Sequence, residues 1–159
     1  MSYSLYHGDC LEVMKIIPDK SIDMILCDLP YGTTKCKWDN VIPFEPLWEQ
    51  YNRIIKDNGA VVLFGSEPFS SYLRLSNIKN YKYDWIWVKS KSGNFMNANK
   101  QPHKKAEQIS VFYNKQCTYS AQKIRNPKGI ETRMLEKNKS KQKVLNLKNL
   151  ENQCLLVML

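Results

Sequence analysis

The sequence predicts an α/β protein with a doubly wound, mostly parallel sheet. Short continuous apolar runs at residues 24–27 and 60–64 have the length and composition of strands that are buried on both faces of a parallel sheet. Segments with helical periodicity lie between such runs, and strands that alternate with helices are typical of doubly wound folds. The chain has 159 residues, which is enough for one domain with a sizeable core.

Helices are predicted on both sides of the first apolar run. Asp9, with Glu12 three residues later, matches a capping box, so we expect a helix from there to about Ile17. Apolar residues at helical spacing predict a second helix over residues 43–57. A third, short helix is expected after the turn at residues 65–68. An aspartate between a strand and a helix is most often only a cap, and this interpretation stays open for Asp9.

Further strands are predicted at residues 5–7, 81–89 and 109–113. The second of them alternates along its length and carries aromatic side chains that suit a half-buried sheet surface. A polar loop over residues 90–105 precedes the last strand, and loops of this length are usually functional or disordered. Its lysines and asparagines are suited to anchoring phosphates and contacting base edges.

The composition favours a cytoplasmic protein with a polyanionic partner. The formal net charge is +9, and an excess of this size favours nucleic acid, with a merely solvated basic surface as the alternative. Five widely spaced cysteines indicate reduced thiols and not a disulfide framework. We expect no metal site and no membrane association, because the chain lacks zinc-ligand spacing, a secretion signal and an apolar run of membrane length.

The most informative stretch is the one that follows the first core strand. There the apolar run gives way at once to a carboxylate, a proline and an aromatic ring, in the sequence Asp28-Leu29-Pro30-Tyr31-Gly32. Open α/β sheets bind their ligands at the carboxyl ends of such strands. An ordinary turn at the end of a strand is the alternative interpretation.

This stretch resembles the catalytic tetrapeptide of the DNA amino-methyltransferases, which use S-adenosylmethionine to methylate N6 of adenine or N4 of cytosine. Their pattern is Asp, Asn or Ser, then usually Pro, then Pro, then an aromatic residue. Leu29 replaces the first proline, whose position in the family contributes its backbone carbonyl, so the carbonyl is kept and some rigidity is lost. A second match follows in the same order, with a Trp-Lys strand, an Asn-rich loop and then Glu107 before an apolar strand.

The resemblance implies a site-specific DNA methyltransferase of a restriction-modification system, for adenine rather than cytosine. Asp28 and the Leu29 carbonyl would accept the two N–H groups of a flipped base, Pro30 would hold them in place, and Tyr31 would stack on the base. Asp9 matches a Gly-Asp pair that lies near the adenosine of the cofactor in the family, so Asp9 and Asp28 are the expected cofactor contacts. Methylation of RNA or of a protein side-chain amide is a further alternative.

Basic and aromatic residues outside this stretch are the expected DNA contacts. A loop beside a base-sized pocket can touch phosphate through lysines and stack or wedge a base with tryptophan. For the loop over residues 33–40, the alternative is a surface loop that is anchored by one buried tryptophan. The expected DNA-binding residues are Lys35, Lys37, Trp38, Asn94, Asn97 and Lys100.

The resemblance covers residues 5–122 and implies a fold that is incomplete at its carboxyl-terminal side. No Gly-x-Gly occurs in the chain, although a cofactor-binding turn would carry one. In the matching subclass that motif follows the catalytic tetrapeptide late in the chain. We therefore expect a catalytic half over residues 1–122 and a basic, divergent or poorly ordered tail over residues 123–159.

Several explanations account for the missing cofactor motif. A second chain or a homodimer supplies the cofactor half, or the chain is a truncated or decayed member of the family, or the tail performs this task in a divergent form. The alternative from another functional class is a catalytically incomplete, basic nucleic-acid-binding module that lacks its own cofactor site.

Overall fold

A computed structural model describes residues 4–93, 95–121 and 157–158. They form an α/β fold, which confirms the predicted class. In chain order its elements are α1 (Cys10–Met14), β1 (Ile22–Asp28), α2 (Phe44–Ile54), β2 (Ile55–Gly65), α3 (Phe69–Ser76), β3 (Tyr81–Gly93), a 3₁₀ helix (Phe95–Asn97), β4 (Lys104–Phe112) and β5 (Val157–Met158). All of these elements belong to one compact unit, while residues 119–121 belong to a second.

The sheet is mixed, so the expectation of a mostly parallel sheet is wrong for the described residues. Its five strands have the order β3-β4-β2-β1-β5. β1 and β2 are parallel, whereas β2 with β4, β3 with β4 and β1 with β5 are antiparallel. β4 returns directly from β3 without a crossover helix, and only an antiparallel pair allows so short a return.

The three helices pack on one face of the sheet. Strand side chains alternate between the two faces, and one cluster joins buried residues of the helices with every second residue of the central strands. Its members include Met14, Leu47, Trp48, Tyr51, Ile54, Phe69 and Leu73 from the helices and Ile25, Cys27, Val61, Leu63 and Phe112 from the strands. In this part of the chain the second layer of helices expected of a doubly wound fold is therefore not seen.

The opposite face of the sheet carries a second row of apolar side chains. Leu26 pairs with Val62, Val62 with Val111, and Val111 with Tyr83, so the row crosses four strands. Val62 and Val111 are buried and lie outside the helix-covered cluster. Further along β3 on the same face, Trp85 and Trp87 remain about half exposed, at 49% and 47%.

Element boundaries differ from expectation where long-range contacts override local periodicity. Asp9 caps α1 as predicted. The helix ends at Met14 and not at about Ile17, and Arg53 of α2 donates a hydrogen bond to the Met14 carbonyl oxygen at 2.7 Å. The second helix ends at Ile54 instead of residue 57, because Ile55 pairs with Ile22 and starts β2.

The remaining expectations for the secondary structure have mixed outcomes. Residues 5–7 form no strand. The expected loop over residues 90–105 is shortened at both ends, since β3 extends to Gly93 and β4 begins at Lys104. The expected tail lies outside the described residues except for residues 157–158, which form β5.

Within the described ranges, no helix combines the length and the apolar character needed to cross a membrane. In the same ranges, no three His, Cys, Asp or Glu side chains are grouped so that they could hold a metal ion.

The packing of α2 on the sheet yields a stability prediction. Leu47 is fully buried, whereas Leu75 of α3 is 69% exposed. We expect Leu47→Ala to lower the free energy of unfolding by about 2–5 kcal/mol, because it leaves a cavity in the core, and Leu75→Ala to change it by less than about 0.5 kcal/mol. Urea unfolding followed by circular dichroism measures both, and equal losses would contradict the assigned core.

Candidate active site

The carboxyl ends of β1 and β2 meet at one edge of the sheet. These strands are parallel, and Asp28, the last residue of β1, pairs with Phe64 near the end of β2. The tetrapeptide therefore lies at the sheet edge where α/β folds bind ligands. The predicted strand and the position of the tetrapeptide at its carboxyl end are confirmed.

Leu29 anchors the tetrapeptide in the core. Its side chain is 5% exposed and belongs to the helix-covered cluster. Because side chains alternate along an extended chain, Leu29 lies on the same face as Cys27, and Asp28 lies on the opposite face. Burial of Leu29 thus restrains a backbone position at which a proline would restrain the dihedral angle directly. Pro30, next in the chain, is half-buried.

Tyr31 is held at both ends of its side chain. Its hydroxyl donates a hydrogen bond to Asp28 Oδ1 at 2.6 Å. Its ring packs on Phe69, with centroids 5.0 Å apart and an angle of 31° between the planes. Phe69 in turn contacts Phe44 at the start of α2. The aromatic ring next to the carboxylate is therefore held against α3, which in turn contacts the start of α2.

Burial and neighbouring charges act on Asp28 in opposite directions. The residue as a whole is exposed, but burial of its carboxyl group is the largest influence on its pKa and raises it above 3.8. The hydrogen bond from Tyr31 lowers this pKa, the charge of Glu107 raises it, and that of Lys89 lowers it. Burial, followed by the hydrogen bond to Asp28, raises the pKa of Tyr31 far above 10, so its hydroxyl stays protonated.

Glu107 and Lys89 were not predicted as site residues. They form an ion pair, and their charges reach Asp28 because β4 lies beside β2 and β3 beside β4. Their positions in the sequence contain no sign of this proximity, which depends on the strand order. The sequence signal for both residues was the match to the methyltransferase pattern, through the Trp-Lys strand that contains Lys89 and through Glu107. At the same edge, the buried Ser66 accepts a hydrogen bond from Lys104.

An apolar groove lies beside Tyr31. It has a volume of ≈ 530 Å³, and Val41, Phe44, Phe69 and Tyr72 line it together with Tyr31. Its volume falls within the range of small-molecule sites, roughly 300–1,000 Å³. The groove therefore offers room for a flat apolar group next to the tetrapeptide.

The other predicted site residues occupy three separate places. Asp9 is the cap of α1 and accepts a hydrogen bond from Leu11 N at 2.8 Å. The loop that follows Tyr31 exposes its two lysines and Trp38, which is 66% exposed and so not a buried anchor. The Lys100 amide donates to the Asn97 carbonyl oxygen at 2.9 Å in the connection between β3 and β4. Lys35 and Lys37 are the two loop lysines, and Asn94 lies outside the described residues.

The described residues meet only part of what S-adenosylmethionine requires. Its cationic groups and ribose hydroxyls suit carboxylates, and Asp9 at the start of α1 and Asp28 at the end of β1 each carry one. A close approach of the backbone to such a cofactor needs glycine. At Gly65, on the same edge, the space that a Cβ would fill is already occupied by Ser70 Oγ, at 2.5 Å. The described residues therefore offer acidic contacts for the cofactor but no glycine-rich turn to bind it.

The described residues have a fold similar to those of solved structures. A crystal structure of M1.HpyAVI in complex with SAM superposes with a TM-score of 0.55 at 22% identity, covering 76% of this chain and 59% of that chain. The PvuII DNA methyltransferase, which is cytosine-N4-specific, gives a TM-score of 0.53 at 15% identity, over 70% of this chain and 49% of that one. At these identities the likeness concerns the fold. No protein-family model matches the chain.

Similar curated proteins are type II methyltransferases. M.BamHI of Bacillus amyloliquefaciens is 29% identical over an alignment of 101 residues that covers 56% of this chain and 24% of the relative. M2.MboI of Moraxella bovis is 28% identical over an alignment of 87 residues that covers 41% of this chain and 32% of the relative. M.HinfI of Haemophilus influenzae is 26% identical over an alignment of 106 residues that covers 52% of this chain and 29% of the relative. The chain thus spans about a quarter to a third of the length of these relatives.

The raised pKa of Asp28 predicts that its charge destabilises the fold. Since the folded-state pKa lies above 3.8, the ionised carboxylate is unfavourable in the folded state at all pH values above both pKa values. We expect Asp28→Asn to have a higher Tm than the wild type at pH 7. The difference should disappear as the pH falls through the raised pKa towards 3.8.

Thermal unfolding followed by circular dichroism at pH 4–7 tests this expectation. Asp23→Asn is the matched control, because Asp23 is an exposed aspartate of the same strand that pairs with Lys56 at 2.8 Å. A lower Tm for Asp28→Asn than for the wild type at pH 7 would contradict the prediction.

Proposed function

We propose that this chain forms the base-binding half of an S-adenosylmethionine-dependent DNA methyltransferase that modifies the exocyclic amine of a flipped base, N6 of adenine in preference to N4 of cytosine. The observation that carries the proposal is the tetrapeptide itself. A carboxylate stands at the carboxyl end of a core strand, followed by a buried residue that anchors the backbone and an aromatic ring held against the carboxylate. Similarity to type II methyltransferases supports it.

The chemistry requires that an unreactive amine be made to present its lone pair. The exocyclic nitrogen of adenine is a poor nucleophile because its lone pair is delocalised into the ring. Asp28 accepts one of the two N–H groups and the Leu29 carbonyl accepts the other, which orients the lone pair out of the ring plane. A carboxylate has about four acceptor sites, of which the Tyr31 hydroxyl uses one. Positioning of this kind accounts for much of the catalytic effect.

When bound, the cofactor supplies an electrophilic methyl group. Methyl transfer would form an N–C bond while the S–CH₃ bond of the cofactor breaks and S-adenosylhomocysteine leaves, so the amine nitrogen would become cationic and would have to lose a proton. Asp28 holds that N–H and has a raised pKa, so it stabilises the developing charge and accepts the proton or passes it to solvent. Asp9, at the cap of α1, is the further acidic contact that we assign to the cofactor.

Base flipping is needed because the amine cannot be reached inside a duplex. Extrusion costs roughly a few kcal/mol, and stacking on an aromatic ring contributes about 1–3 kcal/mol per base. Tyr31 supplies such a ring, with one side supported by Phe69. The exposed Trp38 and the lysines of the same loop, Lys35 and Lys37, then contact the DNA around the extruded base.

The connection between β3 and β4 is the second DNA-binding segment in this proposal. Asn94, Asn97 and Lys100 belong to it, and the last two are exposed. Amides and lysines are suited to base edges and phosphates. The formal net charge of +9 supports binding that is independent of sequence.

We also propose that a second polypeptide supplies the glycine-rich part of the cofactor site. The half-exposed Trp85 and Trp87 lie on the sheet face that the described helices leave free, and exposed aromatic surface of this kind is typical of interfaces. In this proposal the partner is a different chain that carries the cofactor motif, because a second copy of this chain would contain no Gly-x-Gly either.

Replacement of the carboxylate is the direct test of the catalytic proposal. We expect Asp28→Ala to abolish transfer of a labelled methyl group to DNA, at least 100-fold below the wild type, while the Kd for DNA stays within about twofold, since one side chain among many contacts is lost. Asp23→Ala, on the same strand, is the control that keeps activity. Full transfer by Asp28→Ala would refute the assigned role.

Calorimetry shows whether this chain alone binds the cofactor or whether binding needs a second polypeptide. The chain alone is titrated with S-adenosylmethionine up to millimolar concentration. Absence of heat, together with methyl transfer after a polypeptide bearing a glycine-rich cofactor motif is added, supports the two-polypeptide proposal. Tight binding to the chain alone contradicts it.

The salt dependence of DNA binding tests the loop lysines. If Lys35 contacts a phosphate, Lys35→Ala should make the slope of log K against log salt shallower by about 0.9, and the same holds for Lys37→Ala. Lys56→Ala is the matched control, because Lys56 pairs with Asp23 at the far end of β1. If both loop variants have the same slope as the wild type, the prediction that these lysines contact DNA phosphates is wrong.

A further inference from the structure

Asp39 is the most completely hydrogen-bonded carboxylate beside the tetrapeptide. It is 6% exposed. Its Oδ1 accepts from Gly32 N at 2.8 Å, and its Oδ2 accepts from Thr33 N at 2.9 Å and from Thr34 N at 2.6 Å. These three amides belong to the residues that directly follow Tyr31.

The backbone at these residues forms a concave anion site. Gly32 has a φ of +68°, which is accessible to glycine and strained for other residues. This turn directs three successive N–H groups towards one point, and such arrangements of amides bind anions. Here the anion is a side chain of the chain itself. The turn is also tight, since a Cβ at Gly32 would lie 3.0 Å from Val41 Cγ2.

We propose that Asp39 is the positioning residue of the catalytic loop, holding residues 32–34 so that Tyr31 stays between Asp28 and Phe69. The loop has a carboxylate at each end. Asp28 holds the Tyr31 hydroxyl, and Asp39 holds the amides that come next. Without Asp39, three partly buried N–H groups would lose their acceptor, and residues 32–34 would give up this conformation. The consequence for catalysis rests on the function proposed above.

The same contacts account for the ionisation of Asp39. Burial would raise its pKa, but hydrogen bonds from the Thr34 side chain and from the amides of Gly32, Thr34 and Thr33 outweigh it, and the pKa lies below 3.8. Asp39 therefore stays charged, and its support of the loop persists, at neutral and mildly acidic pH.

Hydrogen exchange in the wild-type chain tests the geometry without any assay of activity. Gly32, Thr33 and Thr34 are exposed as residues, so their amides would exchange rapidly if they were free. We expect all three to be protected, as judged by NMR of the full-length chain. Rapid exchange of all three would overturn the proposal even if no variant folds.

Asp39→Asn tests the positioning role. The variant keeps the shape of the side chain but loses its charge and places an N–H donor among N–H donors. We expect the three amide resonances to shift and lose protection. We also expect the titration midpoint of Asp28 to rise, because the Tyr31 hydrogen bond that lowers its pKa is weakened while the charges of Glu107 and Lys89 remain. Asp57→Asn is the control, since Asp57 bonds to Lys115 away from the loop and should leave the midpoint unchanged.

A methyl-transfer assay gives the second readout. Misplacement of a reacting group by about 1 Å can cost 100-fold, so we expect kcat to fall about 10–100-fold in Asp39→Asn with little change in the Kd for DNA. An unchanged Asp28 midpoint and an unchanged kcat would reduce Asp39 to a purely structural residue and overturn the proposal. If the wild type transfers no methyl group even when the polypeptide that bears the cofactor motif is present, the function proposed above fails, and the NMR results still decide the role of Asp39.

Discussion

The parallel pairing of β1 with β2 is the constraint on which the rest of the structure depends. It aligns Asp28 with Phe64 and so brings two strand ends to one edge of the sheet. Burial then decides where the tetrapeptide points. Ile25, Cys27 and Leu29 face the helix-covered core, and because side chains alternate, Asp28 must face the other way. A slip of one residue in this register would bury the carboxylate and expose Leu29.

Two kinds of restraint hold the tetrapeptide, which has a leucine and not a proline at its second position. Leu29 is held by burial, and the residues after Tyr31 are held by the carboxylate of Asp39. The Tyr31 ring lies between these restraints, against Phe69. The tetrapeptide therefore gains from packing and hydrogen bonds the rigidity that a second fixed φ would supply.

The site concentrates charge on a small edge of a basic chain. Asp28 stands near the Glu107–Lys89 ion pair, so its charge responds to residues on two other strands. One face of the sheet is covered by helices, and the other face carries the half-exposed Trp85 and Trp87. The chain matches only 24–32% of the length of the curated relatives, and the exposed tryptophan face is the surface at which the proposed base-binding half would contact further polypeptide.

The sequence alone determined the features that depend on neighbouring residues. A continuous apolar run located β1, and the spacing of apolar residues located α2 and α3. The change of chemistry after residue 27 located the tetrapeptide at a strand end. All of these signals come from residues that are close together in the sequence. The pairing of β4 with β2, the presence of Glu107 and Lys89 beside Asp28, and the end of α2 at Ile54 were decided only by the tertiary structure. The Asp39 contacts also belong to this second group, since they span five to seven residues and require the positive φ of Gly32. In each of these cases the deciding interactions are strand pairing across the sheet or hydrogen bonds to a buried carboxylate. The local pattern of the sequence does not encode either of them.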